Sequence, residues 1–71
     1  MDEKKIISIA SKALKTKLNA KSTTNNTQQW DSLGHLSILS ALQKATKSKS
    51  SKIDLTEVQS IKELTVKLKK L

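Results

Sequence analysis

No cysteine occurs in the sequence, which excludes disulfides, thiolate nucleophiles and zinc sites built on Cys. A single His leaves no His-based ligand set. Proline is absent, glycine occurs once and Trp30 is the one aromatic residue, while Lys, Ser, Leu and Ala abound. A sheet would draw on more aromatic and β-branched residues, so this composition favours helices joined by polar loops, and the class is all-α. Long hydrophobic runs are missing as well. Ile6-Ile7 followed by Ser8-Ile9-Ala10 is too short and too polar-flanked for a signal peptide or a membrane span, and the expectation is a soluble, cytoplasmic protein. Asn25-Asn26-Thr27 has the form of a glycosylation acceptor, which carries no weight without a secretory signal. Seventy-one residues allow one small domain, residues 1–71, with no room for a deep enclosed cleft. No internal repeat is present.

Charge of one sign is scarce too. Six Asp and Glu stand against fourteen Lys with no Arg, a formal net charge of +8 and a pI near 10.0. Such a surplus raises the possibility of phosphate contacts with nucleic acid. Without Arg, and with Trp30 as the only stacking ring, neither base-edge readout nor base stacking is well supplied. Most of the lysines fall on the polar faces of helices and read as dispersed, solvent-facing charge.

Four helical segments are expected. Ile6, Ile9, Ala10, Ala13, Leu14 and Leu18 recur at helical spacing opposite Lys4, Lys5, Lys12 and Lys15, with Asp2 and Glu3 at the favourable amino end. A long polar loop, Asn19 to Gln29, follows, and Trp30 closes it as a packing anchor. Asp31 is a strong amino-cap, so the second helix starts at or near Ser32 and runs to Ala45. On its wheel Leu36, Ile38, Leu39, Ala41, Leu42 and Ala45 gather on one broad side, while Leu33 lies apart with Ser37, Ser40 and Lys44. Lys47 to Lys52 is a charged connector. Ile53 to Val58 has room for a short third helix of a turn or two. Ser60-Ile61-Lys62-Glu63 matches a capping box, after which Ile61, Leu64, Leu68 and Leu71 form a clean stripe for the last helix.

The most informative stretch is Trp30-Asp31-Ser32-Leu33-Gly34-His35-Leu36. Asp31-Ser32-Leu33 at the head of a Leu-rich second helix, near the middle of a short helical chain, resembles the acyl carrier proteins and related carrier domains. The triplet alone is weak; the resemblance covers nearly the whole chain, from the amphipathic first helix through the long loop to the closing helix from Ser60. It implies a small four-helix bundle of acyl-carrier type with a long first loop and a short third helix. It also implies that Ser32 accepts a 4′-phosphopantetheine group from coenzyme A through a separate, magnesium-dependent phosphopantetheinyl transferase. The thiol of that arm would hold acyl or aminoacyl groups as thioesters for loading and using enzymes, and the carrier itself would not be an enzyme. Three readings of the residues agree with this. An anion on Ser32 would lie at a helix amino end, its hydroxyl would be accessible after a polar loop, and Leu33 would be an apolar docking anchor.

Asp31, Leu33, Ser37, Ser40 and Lys44 are the expected partner-binding residues. Carriers of fatty acid synthesis typically bear carboxylates along the second helix, whereas here Ser37, Gln43 and Lys44 stand in such positions. Docking on apolar or acidic partner surfaces is the expectation. The sparse first loop and trimmed third segment point to a looser variant with a short acyl, aminoacyl or hydroxyacyl cargo. Gly34 leaves space beside Ser32 for an arm or a partner, or is neutral. Asp31, Ser32 and His35 contain the residue types of a hydrolytic triad, but three residues in one turn do not make its hydrogen-bond chain, and His35 reads as a surface residue. The chain is expected to be monomeric, with neither nucleic acid nor membrane as partner. Two alternatives stay open: an unmodified, carrier-like protein-binding module, and a basic nucleic-acid-binding helical protein.

Overall fold

Each main helix begins where a short polar side chain closes its first turn. In the computed structural model, which describes residues 1–69, Asp2 caps α1 (Glu3–Leu14) by accepting the Lys5 N–H. Asp31 caps α2 (Ser32–Ala45) by accepting the Gly34 N–H, and Ser60 caps α3 (Ile61–Leu68) by accepting the Glu63 N–H. The Glu63 carboxylate reaches back to the Gln59 N–H at 3.2 Å, one residue before the usual capping-box partner. Leu71 of the expected stripe lies outside the described residues.

Both long helices end in the same motif without glycine. At α1 the Thr16 N–H bonds the Ser11 carbonyl and Lys15 is left-handed (φ 56°). At α2 the Ser48 N–H bonds the Gln43 carbonyl and Lys47 is left-handed (φ 53°). These are Schellman closures with lysine at the position that Gly or Asn usually fills. The early stop of α1 corrects the expected helical stripe at one residue. Leu18 is buried but enters the core from the loop, its N–H donating to Ser11 Oγ at 3.0 Å.

The described residues contain three α-helices and no strand, so the chain is all-α, but the expected short third helix over Ile53 to Val58 does not form. A single 3-10 turn, Lys49–Lys52, occupies the connector instead. Asp54 explains much of this: its carboxylate takes both the backbone N–H (3.1 Å) and the hydroxyl (2.7 Å) of Thr56, an Asx-turn that diverts the backbone from helical bonding. Residues 53–60 run as an irregular strap that drops Leu55 and Val58 into the core.

α1 lies antiparallel to α2 and α3. Leu14 meets Gly34 at one end, while at the other the Met1 amino group donates to the Leu68 carbonyl. The core between them is Ile6, Ala10 and Leu14 of α1, Ile38 and Leu42 of α2, Ile61, Leu64 and Leu68 of α3, joined by Leu18, Trp30, Leu55 and Val58. The first loop, poor in apolar anchors, is fastened by polar ones. Thr24 N–H donates to the Gln59 carbonyl (2.8 Å) and Ile61 N–H to that of Ser22 (3.0 Å), beside an isolated bridge of Thr23 with Ser60. Buried Ser22 accepts the Asn19 N–H. These bonds hold the loop against the strap, and with it the segment that leads into Ser32.

Candidate functional site

Ser32 is the first residue of α2, and the two residues before it determine how it is presented. Trp30 is buried to 2% exposure and pins the end of the loop to the core. Asp31 then takes the Gly34 N–H at 2.8 Å through its side chain and the His35 N–H at 2.8 Å through its carbonyl. The N–H groups of Ser32 and Leu33 have no acceptor within the helix, as for any first turn. The Ser32 side chain is exposed, and its hydroxyl has no hydrogen-bond partner among the described residues.

Two shallow grooves flank this turn. One, of about 550 Å³, runs between α2 and the 56–59 strap and includes Asp31, Ser32, Leu36, Leu39, Glu57 and Val58 in its walls. The other, of about 500 Å³, lies between α1 and α2 and is lined by Ala13, Leu33, Leu36, Ser37, Ser40, Ala41 and Lys44. The expected site residues are thus divided. Leu33, Ser37, Ser40 and Lys44 share the second groove, whereas Asp31 and Ser32 lie on the first. Ser37 is partly committed to its own helix, its hydroxyl donating to the Leu33 carbonyl.

Leu36 is the ridge between the two grooves and is 61% exposed, beside Leu33 at 76%. Its expected place on the buried side of α2 is therefore corrected, as is that of exposed Ala45. The apolar residues of α2 run round so much of the wheel that the packing of α1 and the strap, not the helix period, selects which arc is covered. Leu36 stands four residues after Ser32 and three after Leu33, the spacing that places all three on one face. That relation was the available signal for it.

His35 is not the surface residue expected. Half-buried, it accepts the Trp30 Nε1–H through Nδ1 (3.1 Å), and its Nε2 lies 2.8 Å from the Leu55 carbonyl. Indole nitrogen can only donate, so Nδ1 must be the acceptor and Nε2 carries the proton given to Leu55. Both nitrogens are engaged away from Ser32, which removes the base that a triad would need. His35 instead stitches the Trp30 anchor to the strap.

Gly34 makes room for the chain itself. A Cβ at this position would collide with the Gln29 carbonyl oxygen and would stand 2.8 Å from Leu14 Cδ2. The loop end and α1 are packed against the helix here, so neither an arm nor a partner occupies that space and the residue is not neutral.

One carboxyl of the strap has an altered affinity for protons. The hydroxyl of Thr56, and after it the Thr56 backbone N–H, hold Asp54 below its ordinary value of 3.8. No group of His, Cys, Asp and Glu among the described residues could hold a metal ion. In comparison with known proteins, no family model matches the chain, and no curated protein and no solved structure matches it significantly.

Proposed function

We propose that this chain is an acyl carrier protein that bears 4′-phosphopantetheine on Ser32 and presents acyl or aminoacyl thioesters to partner enzymes. The observation that carries the reading is the setting of Ser32: an unengaged, exposed hydroxyl on the first residue of a 14-residue helix, capped by Asp31 and beside two exposed leucines. These features accompany the Asp31-Ser32-Leu33 resemblance and give each of its residues a physical role. Asp31 fixes the start of the helix, Ser32 is the nucleophile offered to a transferase, and Leu33 with Leu36 forms the apolar contact.

The residues fit the group. Its phosphate, once esterified to Ser32 Oγ, would meet the Ser32 and Leu33 N–H groups and the positive end of the α2 dipole. On attachment the Ser32 Oγ–P bond would form, the diphosphate P–O bond of coenzyme A would break with release of adenosine 3′,5′-bisphosphate, and the Ser32 proton would leave to solvent or the transferase. When bound, the group supplies the thiol that holds the cargo. The bundle of carrier type is part of the same proposal, with the strap over residues 53–60 in place of a short third helix. A short cargo is favoured because the groove by Ser32 is shallow and open, with the buried Ile38, Leu42 and Leu64 belonging to the core beneath it.

Intact mass decides the matter. The protein and Ser32→Ala are incubated with coenzyme A, magnesium and broad-specificity phosphopantetheinyl transferases. One added prosthetic group on the parent and none on the variant is the expected result. A parent left unmodified by several transferases would replace this reading with that of an unmodified protein-binding module.

A further inference from the structure

The lysine surplus is unevenly distributed over the fold. The start of α1 and the ends of α2 and α3 meet at one pole, where Lys5, Ala45, Lys47 and Lys49 line one cleft and the Met1 amino group bonds Leu68. Lys5, Lys44, Lys47, Lys49, Lys67 and Lys69 are all exposed there. Among the described residues the carboxylates toward this pole are Asp2, Glu3 and Asp54; Asp2 is engaged as the α1 cap and Asp54 by Thr56, with Lys67 near enough to favour its ionised form. Between Asp31 and Asp54 the chain has no carboxylate at all. Asp31, Glu57 and Glu63 lie toward the opposite pole with Ser32, where they offset a larger share of the lysines, Lys12, Lys15, Lys17, Lys21 and Lys62.

Helix chemistry accounts for only part of the basic pole. Lys44 and Lys67 occupy the last turns of α2 and α3, where a cation complements the helix dipole. Lys47 follows the last turn of α2 as its left-handed closing residue, and Lys49 opens the 3-10 turn beyond it. The cations are long, flexible lysine stems carried by separate elements: the start of α1, the end of α2 with the turn after it, and the end of α3. No Arg offers a planar fork to a single phosphate. Such an array suits a plane of like charges. Nucleic acid is less well served, because the only ring that could stack on a base, Trp30, is 2% exposed and lies at the other pole.

We infer that the basic pole, with Lys47 and Lys49 at its centre, docks the protein on an anionic lipid surface. Attachment is peripheral: no helix among the described residues is long and apolar enough to cross a membrane. α2 separates the pole from Ser32 by about 20 Å at 1.5 Å per residue. A docked molecule therefore holds Ser32, Leu33 and Leu36 away from the lipid and open to a partner. The inference departs from the expectation of no membrane partner. The inference does not rest on the modification of Ser32.

Vesicle sedimentation at about 0.15 M salt, where weak surface charge effects are largely screened, is the test. Vesicles of phosphatidylcholine with about 30% phosphatidylglycerol should sediment the full chain, and vesicles of phosphatidylcholine alone should not. Lys47→Asn/Lys49→Glu, which keeps a residue tolerant of the left-handed backbone at position 47, should weaken binding about tenfold or more. Lys12→Gln/Lys17→Glu carries the same charge change at the other pole and should weaken it no more than about twofold, with both variants shown to be folded by circular dichroism. Ser32→Ala should bind vesicles like the parent, so failure here is separable from failure of the carrier reading. Equal losses in the two charge variants, no sedimentation with anionic vesicles, or tighter binding to duplex DNA with the same dependence on Lys47 and Lys49 would each overturn the inference.

Discussion

The indole N–H of Trp30 donates to Nδ1 of His35 across 3.1 Å, and the opposite nitrogen of the same ring lies 2.8 Å from the Leu55 carbonyl. One imidazole therefore links the end of the first loop, the first turn of α2 and the strap that replaces a third helix. His35→Leu keeps much of the volume but leaves a buried donor and a carbonyl without partners. It is expected to lower stability by about 2 kcal/mol. Urea denaturation followed by the fluorescence of Trp30 measures this directly. A change of less than about 0.5 kcal/mol would show that the bridge is not structural.

Gly34→Ala tests the packing beneath Ser32. In a free helix the change would stabilise by about 1 kcal/mol. Here the new Cβ meets the Gln29 carbonyl and Leu14, and a net loss of about 1 to 3 kcal/mol is expected. Ser37→Ala, on the exposed side of the same helix, should be neutral or slightly stabilising, so thermal melts of the pair separate packing from propensity.

Lys15→Gly should do the opposite. Lys15 holds the left-handed closing position of α1, a conformation that costs an L-residue about 1 kcal/mol or more relative to glycine. A rise in urea midpoint at unchanged slope, worth about 0.5 to 1 kcal/mol, is the expected outcome.

Asp54 supplies a dependence on pH. Its folded-state affinity for protons is depressed by the Thr56 hydroxyl first and the Thr56 N–H second. The stabilising contribution is therefore complete above the unfolded value, near 3.8, and is lost as pH falls through the lower folded value. Thr56→Val removes the larger cause. Carboxyl-carbon NMR should then place the Asp54 midpoint closer to 3.8 than in the parent, and an unchanged midpoint would assign the shift elsewhere.

Leu33→Ser and Leu36→Ser probe the exposed pair beside Ser32. Neither should alter stability by more than about 0.5 kcal/mol. Each is expected to reduce kcat/KM for phosphopantetheine transfer by about fivefold to tenfold, as loss of an apolar anchor at a small interface would. Undiminished transfer in both variants would remove them from the docking surface.

What the sequence determined by itself was local. Asp2, Asp31 and Ser60 cap helices through bonds that close within one turn, and the periods of α1 and α3 name their buried residues, so both could be read along the chain. The exposure of Ser32 follows from the same rule, since a first-turn residue after a polar loop faces outward. Tertiary structure decided the rest. α2 is apolar round much of its wheel, so only the placement of its neighbours could expose Leu36 beside Leu33 and bury Ile38 and Leu42. Trp30, Gly34 and His35, the only residues of their types in the chain, proved to be one packed unit through contacts with Leu14, Gln29 and Leu55 that no spacing reveals. The meeting of Lys5 with Lys47 and Lys49 in one cleft was equally hidden, because it depends on the antiparallel course of α1, which brings residues about forty positions apart onto one surface.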